Sequence, residues 1–168
     1  MTAKEIFERV NELCPGAATD LDEECLDPFF KVNAASLKEV CLALRDDGAL
    51  KFSVLSDLTA VDLPTENVIQ IVYHLFSYEP QQQIVIKADV DRDASRIATV
   101  EGVWKVANWF EREVFDLFGV VFEGHSDLRR ILLPEDWVGY PLRKDFVEQE
   151  EYDGISTERE PLVPENMR

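Results

Sequence analysis

Histidine and cysteine are scarce in this sequence, two of the one and three of the other in 168 residues. Cys14, Cys25 and Cys41 are odd in number and stand 11 and 16 positions apart, which fits neither a disulfide framework nor a C-x-x-C metal site. They read as reduced thiols in a cytosolic compartment. With only His74 and His125 beside them, the usual routes to bound zinc, haem or iron–sulfur centres are nearly closed. Glycine is limited to seven residues, and there is no GxGxxG fingerprint, P-loop or G-x-S-x-G elbow. Cations are outnumbered two to one, 17 Lys and Arg against 34 Asp and Glu, for a net charge of −17. That balance is unsuited to neutralising nucleic-acid phosphates, or to docking unaided on an anionic membrane. No apolar run approaches the roughly 20 residues needed to span a bilayer. Residues 1–15 are acidic and amphipathic, unlike a secretory leader.

What is present suits one compact domain with room for a tail. Apolar residues make up 46% and aromatics 10%, enough for a core. Thr2 and Glu5 form a T-x-x-E capping box ahead of Ile6, Val10 and Leu13 at helical spacing, with Pro15-Gly16 as a stop. An acidic patch follows (Asp20, Asp22, Glu23, Glu24, Asp27), then a short strand over residues 29–32. Ser36 and Glu39 read as a second capping box. Leu37, Val40, Cys41 and Leu44 form its apolar stripe, which makes Cys41 a core residue, and Gly48 ends the helix. Three strands follow, centred on residues 52–60, 67–78 and 83–90. Their links are too short for a crossover helix, so neighbours should be antiparallel. His74 lies inside the central strand and reads as a hydrogen-bonded residue.

Residues 100–118 read as a third helix, with Val103, Val106, Ala107, Phe110, Val114 and Leu117 on one stripe and Lys105, Arg112 and Asp116 on the opposite one. Trp104, Trp109, Phe115 and Phe118 add aromatic surface that either thickens the core or meets another protein. Arg112 and Asp116, four apart, are expected to pair along this helix. Glu111 and Glu113 diverge from one another, which argues against a catalytic carboxylate pair. From residue 120 the periodicity stops. Arg129, Arg130, Arg143 and Lys144 fall within 16 positions, in company with Asp127 and Asp145 and set turns at Pro134, Gly139 and Pro141. Arginines in fixed acidic company suit bidentate pairing at an interface; a solvated charged loop is the plainer alternative. Residues 148–168 hold seven acids and two bases with few apolar residues, a tail that is loose or ordered by a partner.

Residues 111–146 closely resemble the signature of the 30 kDa subunit family of respiratory complex I, the C-type subunit of the bacterial NADH-quinone oxidoreductases. The pattern is carried by Glu111-Arg112-Glu113, Asp116, Leu117-Phe118, His125, Arg129 and Ile131-Leu132, then by Trp137, Gly139 and Pro141-Leu142-Arg143-Lys144-Asp145-Phe146. The lead-in Trp104, Ala107-Asn108-Trp109-Phe110 is compatible, and the motif spans about a fifth of the chain. Ser126 stands where the family has proline, Tyr140 where it has histidine, and Val147 where many members have proline; every charged position is intact.

The resemblance implies a non-catalytic scaffold in the peripheral arm of proton-translocating NADH:quinone oxidoreductase, on the cytoplasmic side of the bacterial inner membrane. It implies no flavin, iron–sulfur cluster or metal in this chain; FMN and clusters would belong to partner subunits. It implies contact with the quinone-side 49 kDa-type subunit and adjacent cluster-bearing subunits, and with the membrane only through the complex. The expected fold is α+β, a mostly antiparallel sheet with packed helices over residues 1–119 and an extended partner-binding arm over 120–168. Arg112, Asp116, His125, Arg129, Arg130, Arg143 and Lys144 are the expected interface residues, His125 more as a structural hydrogen-bonding group than as a pH reporter. Two alternatives stand: the equivalent scaffold of a membrane-bound nickel–iron hydrogenase or deazaflavin dehydrogenase complex, and a free-standing cytosolic enzyme using carboxylates.

Overall fold

The computed structural model describes residues 1–157. Part of the expected acidic tail, residues 158–168, lies outside them. Helix α1 (Ala3–Leu13) starts at Thr2, whose hydroxyl accepts the Glu5 N–H while the Glu5 carboxylate accepts the Thr2 N–H, the reciprocal cap read from the sequence. Strand β1 (Ala18–Asp22) occupies part of the acidic patch, where no strand was expected. Its Thr19 and Asp20 face solvent, so charge hides the pattern. Strand β2 (Phe29–Val32) leads into helix α2 (Leu37–Asp46) through a 3-10 turn, Ala34–Ser36. The Ser36 side chain does not form the expected cap. Asn33 accepts the Ala35 N–H instead, because the turn moves the first unpaired N–H groups upstream.

Strands β3 (Val54–Leu63), β4 (Val68–Ser77) and β5 (Gln82–Asp91) form the antiparallel meander expected from their short links. The five-stranded sheet runs β1-β2-β5-β4-β3, with β2 parallel to β5. Ile69, Ile71, Tyr73 and Leu75 of β4 alternate inward with Ile84, Ile86 and Ala88 of β5. They meet Ile6 and Val10 of α1 and Leu37, Val40, Cys41 and Leu44 of α2 in one continuous core. His74, Val85 and Lys87 lie on the opposite side of the pleat.

Helix α3 (Ala107–Phe118) is shorter than its pattern suggested, because residues 100–106 fold as tight turns that bury Val100, Val103 and Trp104. The Trp104 indole N–H donates to the Phe52 carbonyl, 2.9 Å away. Strands β6 (Arg96–Ala98) and β7 (Val121–Glu123) pair in parallel on either side of α3 in sequence, and a small hairpin, β8 (Glu151–Tyr152) and β9 (Ile155–Ser156), follows the signature segment. Of the expected polar stripe, Lys105 is exposed but the two residues on α3 are buried: Arg112 is 7% exposed and Asp116 is 0% exposed.

Candidate functional site: the signature segment

Asp116 is the organising residue. It sits two residues before the end of α3, where the chain leaves the helix through Gly119 at φ 76°. The segment then returns across it. Asp116 Oδ2 accepts the backbone N–H groups of Ile131, Leu132 and Leu133 at 2.8 to 3.0 Å, and Oδ1 accepts Arg130 Nη1 at 2.8 Å. Burial pushes this carboxyl toward its neutral form, but the three N–H donors and Arg130 outweigh burial and hold it below the ordinary carboxylate range. The expected Arg112–Asp116 pair does not form. Arg112 points to the Arg129 and Arg130 carbonyls and stacks near Trp109, since a buried guanidinium and a buried carboxylate each find more donors and acceptors on the returning chain.

Arg130 and Arg143 are bound to the backbone in the same way. Arg130 also reaches the Trp137 and Gly139 carbonyls. Arg143 donates to the Phe118 carbonyl at 2.6 Å and to that of Arg92. Tyr140 lies near both guanidiniums, 5.1 Å from that of Arg143 and 5.7 Å from that of Arg130. Its ring occupies the space beside Gly119, where any Cβ would come within 2.5 Å of it. The Tyr140 phenol therefore packs on the bare backbone of the helix cap. Lys144 is held through its backbone, whose N–H donates to Asp62 Oδ2 at 2.7 Å. Its side chain is exposed, as is that of Arg129, which pairs locally with Asp127.

Two residues that sequence reasoning missed complete the brace. Arg92, just beyond β5, bridges buried Asp62 on β3 to Asp145 in the segment, at 2.7 and 2.5 Å. The Arg92 guanidinium, with smaller help from the Lys144 N–H, holds Asp62 below the usual range. Nothing in the local sequence around either residue signals this pairing. A second cluster anchors the turn after β7. His125 Nε2 donates to the Asn108 carbonyl at 3.2 Å while Nδ1 accepts the Asp127 N–H at 3.0 Å, the structural bonding expected of it. Beside it lie Glu101 and fully buried Glu111. Glu111 had a legible signal: it falls between Ala107 and Val114 on the core-facing stripe. Glu113 is exposed, so the two glutamates do diverge.

The segment is thus folded against its own domain by its arginines. Leu132, Val138, Leu142 and Val147 are left in solvent, 61, 64, 49 and 84% exposed, along with Trp109 on α3 at 60%. No group of three or more His, Cys, Asp or Glu side chains suited to a metal occurs among the described residues. No helix among them is long and apolar enough to cross a membrane.

The fold matches a chain from an archaeal respiratory membrane complex, the membrane-bound sulfane sulfur reductase, with a TM-score of 0.73 and 29% identity over 88% of this chain and 86% of that one. It also matches the trypsin-resistant fragment of Nqo5, with a TM-score of 0.62 and 26% identity over 76% of this chain and all of the fragment. This α+β domain with its braced segment is therefore of a class found in respiratory membrane complexes. Residues 30–152 match the family model described as respiratory-chain NADH dehydrogenase, 30 Kd subunit, and the chain belongs to that family. Among its relatives are the C-type subunit of NADH-quinone oxidoreductase from Chlorobium phaeobacteroides, 42% identical over 89% of this chain and 91% of the relative, and that from Moorella thermoacetica, 50% identical over 71% and 79%.

Proposed function

We propose that the chain is a non-catalytic scaffold subunit in the peripheral arm of a proton-translocating NADH:quinone oxidoreductase, on the cytoplasmic side of a bacterial membrane. It docks the quinone-side 49 kDa-type subunit beside the cluster-bearing subunits, and it holds no flavin, cluster or metal itself. Residues 120–168 form the docking arm. Arg112, Asp116, His125, Arg130 and Arg143 serve the contact indirectly, by fixing the arm's path, while Arg129 and Lys144 reach the partner.

The observation that carries this reading is the set of apolar side chains left in solvent along a segment whose path is held by Arg112, Arg130 and Arg143. Exposed aliphatic side chains and exposed cations on one segment suit a protein contact, where apolar side chains supply the core and charges set register. In a pull-down with the 49 kDa-type subunit, Arg129→Glu combined with Leu132→Asp is expected to reduce recovery at least tenfold while leaving the unfolding midpoint of this chain unchanged. Undiminished recovery would place the contact elsewhere.

A second reading has support of its own. The likeness to a chain of the sulfane sulfur reductase fits the same scaffold in a related membrane complex. Subunits that copurify from the native membrane, either an NADH-binding module or another catalytic module, separate the two.

A further inference from the structure

We propose that Glu111, His125 and Glu101 form a proton-holding site at the root of the arm. In the folded subunit under mildly acidic conditions, Glu111 carries a bound proton beside an ionised Glu101. The ligand of this site is the proton itself, and its release loosens the turn that follows β7 within the arm.

The geometry assigns each state. Glu111 is 0% exposed. Its Oε1 accepts the Val100 N–H at 2.7 Å, and its Oε2 faces the Thr99 hydroxyl. No Lys or Arg among the described residues pairs with it. Arg112, its neighbour on α3, is committed to the Arg129 and Arg130 carbonyls on the returning chain. The nearest basic atom is His125 Nε2, 3.9 Å away with its side chain also fully buried, and both ring nitrogens of that imidazole are already engaged by backbone partners. Nε2 must donate to the Asn108 carbonyl, and Nδ1 must accept the Asp127 N–H. A proton added at Nδ1 would face that N–H, donor against donor.

The remaining groups around Glu111 are acidic or weakly polar. Cys41 of α2 and Tyr73 of β4 lie on the core side, both fully buried; the Tyr73 hydroxyl has no hydrogen-bond partner among the described residues. On the outer side is Glu101, 3.7 Å from His125 Nε2. Burial works against the Glu101 anion, but the Asn108 amide and the Ser126 N–H and hydroxyl outweigh it and keep its carboxyl below the ordinary range. A second negative charge on Glu111 would be buried without a counter-ion and set against the Glu101 anion. Burial first, and then Glu101, push the Glu111 carboxyl up to about 7. Two carboxyls flanking one imidazole are thus driven to opposite protonation states, the arrangement that marks proton-handling groups.

Oε2 is the oxygen left for the proton, hydrogen-bonded with Thr99. When the pH rises the proton passes to water on the side of Glu101, whose side chain is 17% exposed. The carboxylate left behind has Val100 N–H and Thr99 as its only donors among the described residues. Relief comes from opening the turn that carries His125 and Ser126, directly after β7.

The sign follows from proton linkage. A carboxyl raised in the folded state keeps a proton that the unfolded chain has lost, so its contribution is present at low pH and falls away as pH rises toward 7. The folding equilibrium constant should therefore fall on the order of 100-fold between pH 5 and pH 8 from this group alone.

The test is infrared difference spectroscopy of the full chain, with urea unfolding across the same pH range. The expected result is a carboxylic-acid carbonyl band that titrates with a midpoint near 7 and is missing in Glu111→Gln, whose stability no longer falls between pH 5 and 8. Should Glu111→Gln fail to fold, Glu101→Gln is read instead: removing the neighbouring charge is expected to move the band's midpoint to lower pH. A wild-type chain with no such band at pH 6, or a midpoint unmoved in Glu101→Gln, overturns the proposal.

Discussion

Asp116→Asn measures how firmly the signature segment is tied to its own domain. The substitution keeps the shape of the side chain and removes its charge. If the amide oxygen stays on the N–H groups of Ile131, Leu132 and Leu133, the new NH2 faces Arg130 Nη1, donor against donor, and leaves a guanidinium unpaired. If the amide flips, three backbone donors lose their acceptor instead. Breaking one side of a buried ion pair costs roughly 3–5 kcal/mol. A domain's total stability is about 5–15 kcal/mol, so the loss should dominate the unfolding curve. With a urea m-value of roughly 2 kcal/mol/M, the midpoint should drop by about 2 M. Intrinsic tryptophan fluorescence reports it, since Trp104, Trp109 and Trp137 all lie near the segment or the helix that carries it. The competing reading, an exposed Arg112–Asp116 pair along the helix, predicts only about 0.3–0.5 kcal/mol. A midpoint shift corresponding to less than about 0.5 kcal/mol would mean that Asp116 faces solvent and that the segment is not folded as described.

Further outcomes follow from the same contacts. Arg92→Met is expected to free the Asp145 end of the segment while the sheet stays folded, seen as faster tryptic cleavage at Arg143 and Lys144 with unchanged far-ultraviolet circular dichroism; equal cleavage rates would remove Arg92 from the brace. Gly119→Ala introduces a Cβ within 2.5 Å of the Tyr140 ring at a φ of 76°, so its melting temperature should fall markedly, and Gly119→Ala with Tyr140→Ala should recover part of the loss; no recovery would contradict the ring's placement. Arg143→Glu should lower the unfolding midpoint as well as partner recovery, unlike Arg129→Glu, because Arg143 bonds the Phe118 carbonyl whereas exposed Arg129 pairs locally with Asp127. On the acid side, Asp116 and Asp62 have depressed carboxyls, so the stability they give is present above the ordinary carboxylate value and lost as pH falls through the depressed one. With Glu111 acting in the opposite sense above that range, thermal melts should peak in mildly acidic buffer, and a monotonic rise toward pH 8 would contradict this balance.

Local chemistry was readable where a single segment settles its own needs. The Thr2–Glu5 cap, the inward Cys41, the three-strand meander and the membership carried by residues 111–146 all follow from spacing or from a fixed string of residues. Helical period also gave Glu111 a core-facing position between Ala107 and Val114, a signal that a charged residue type makes easy to discount. Only the tertiary structure decided the partners. Periodicity says which way a side chain leaves its own helix or strand, and it is silent on what the chain later brings opposite. Asp116 takes Arg130 rather than Arg112, Asp62 takes Arg92, and β2 takes β5, because segments far apart in sequence return to those places. The signature segment has no regular repeat to read, so its arginines looked free for a neighbour. In the folded chain the backbone carbonyls and buried carboxylates nearest them are this chain's own, and a buried guanidinium must bond what lies within reach.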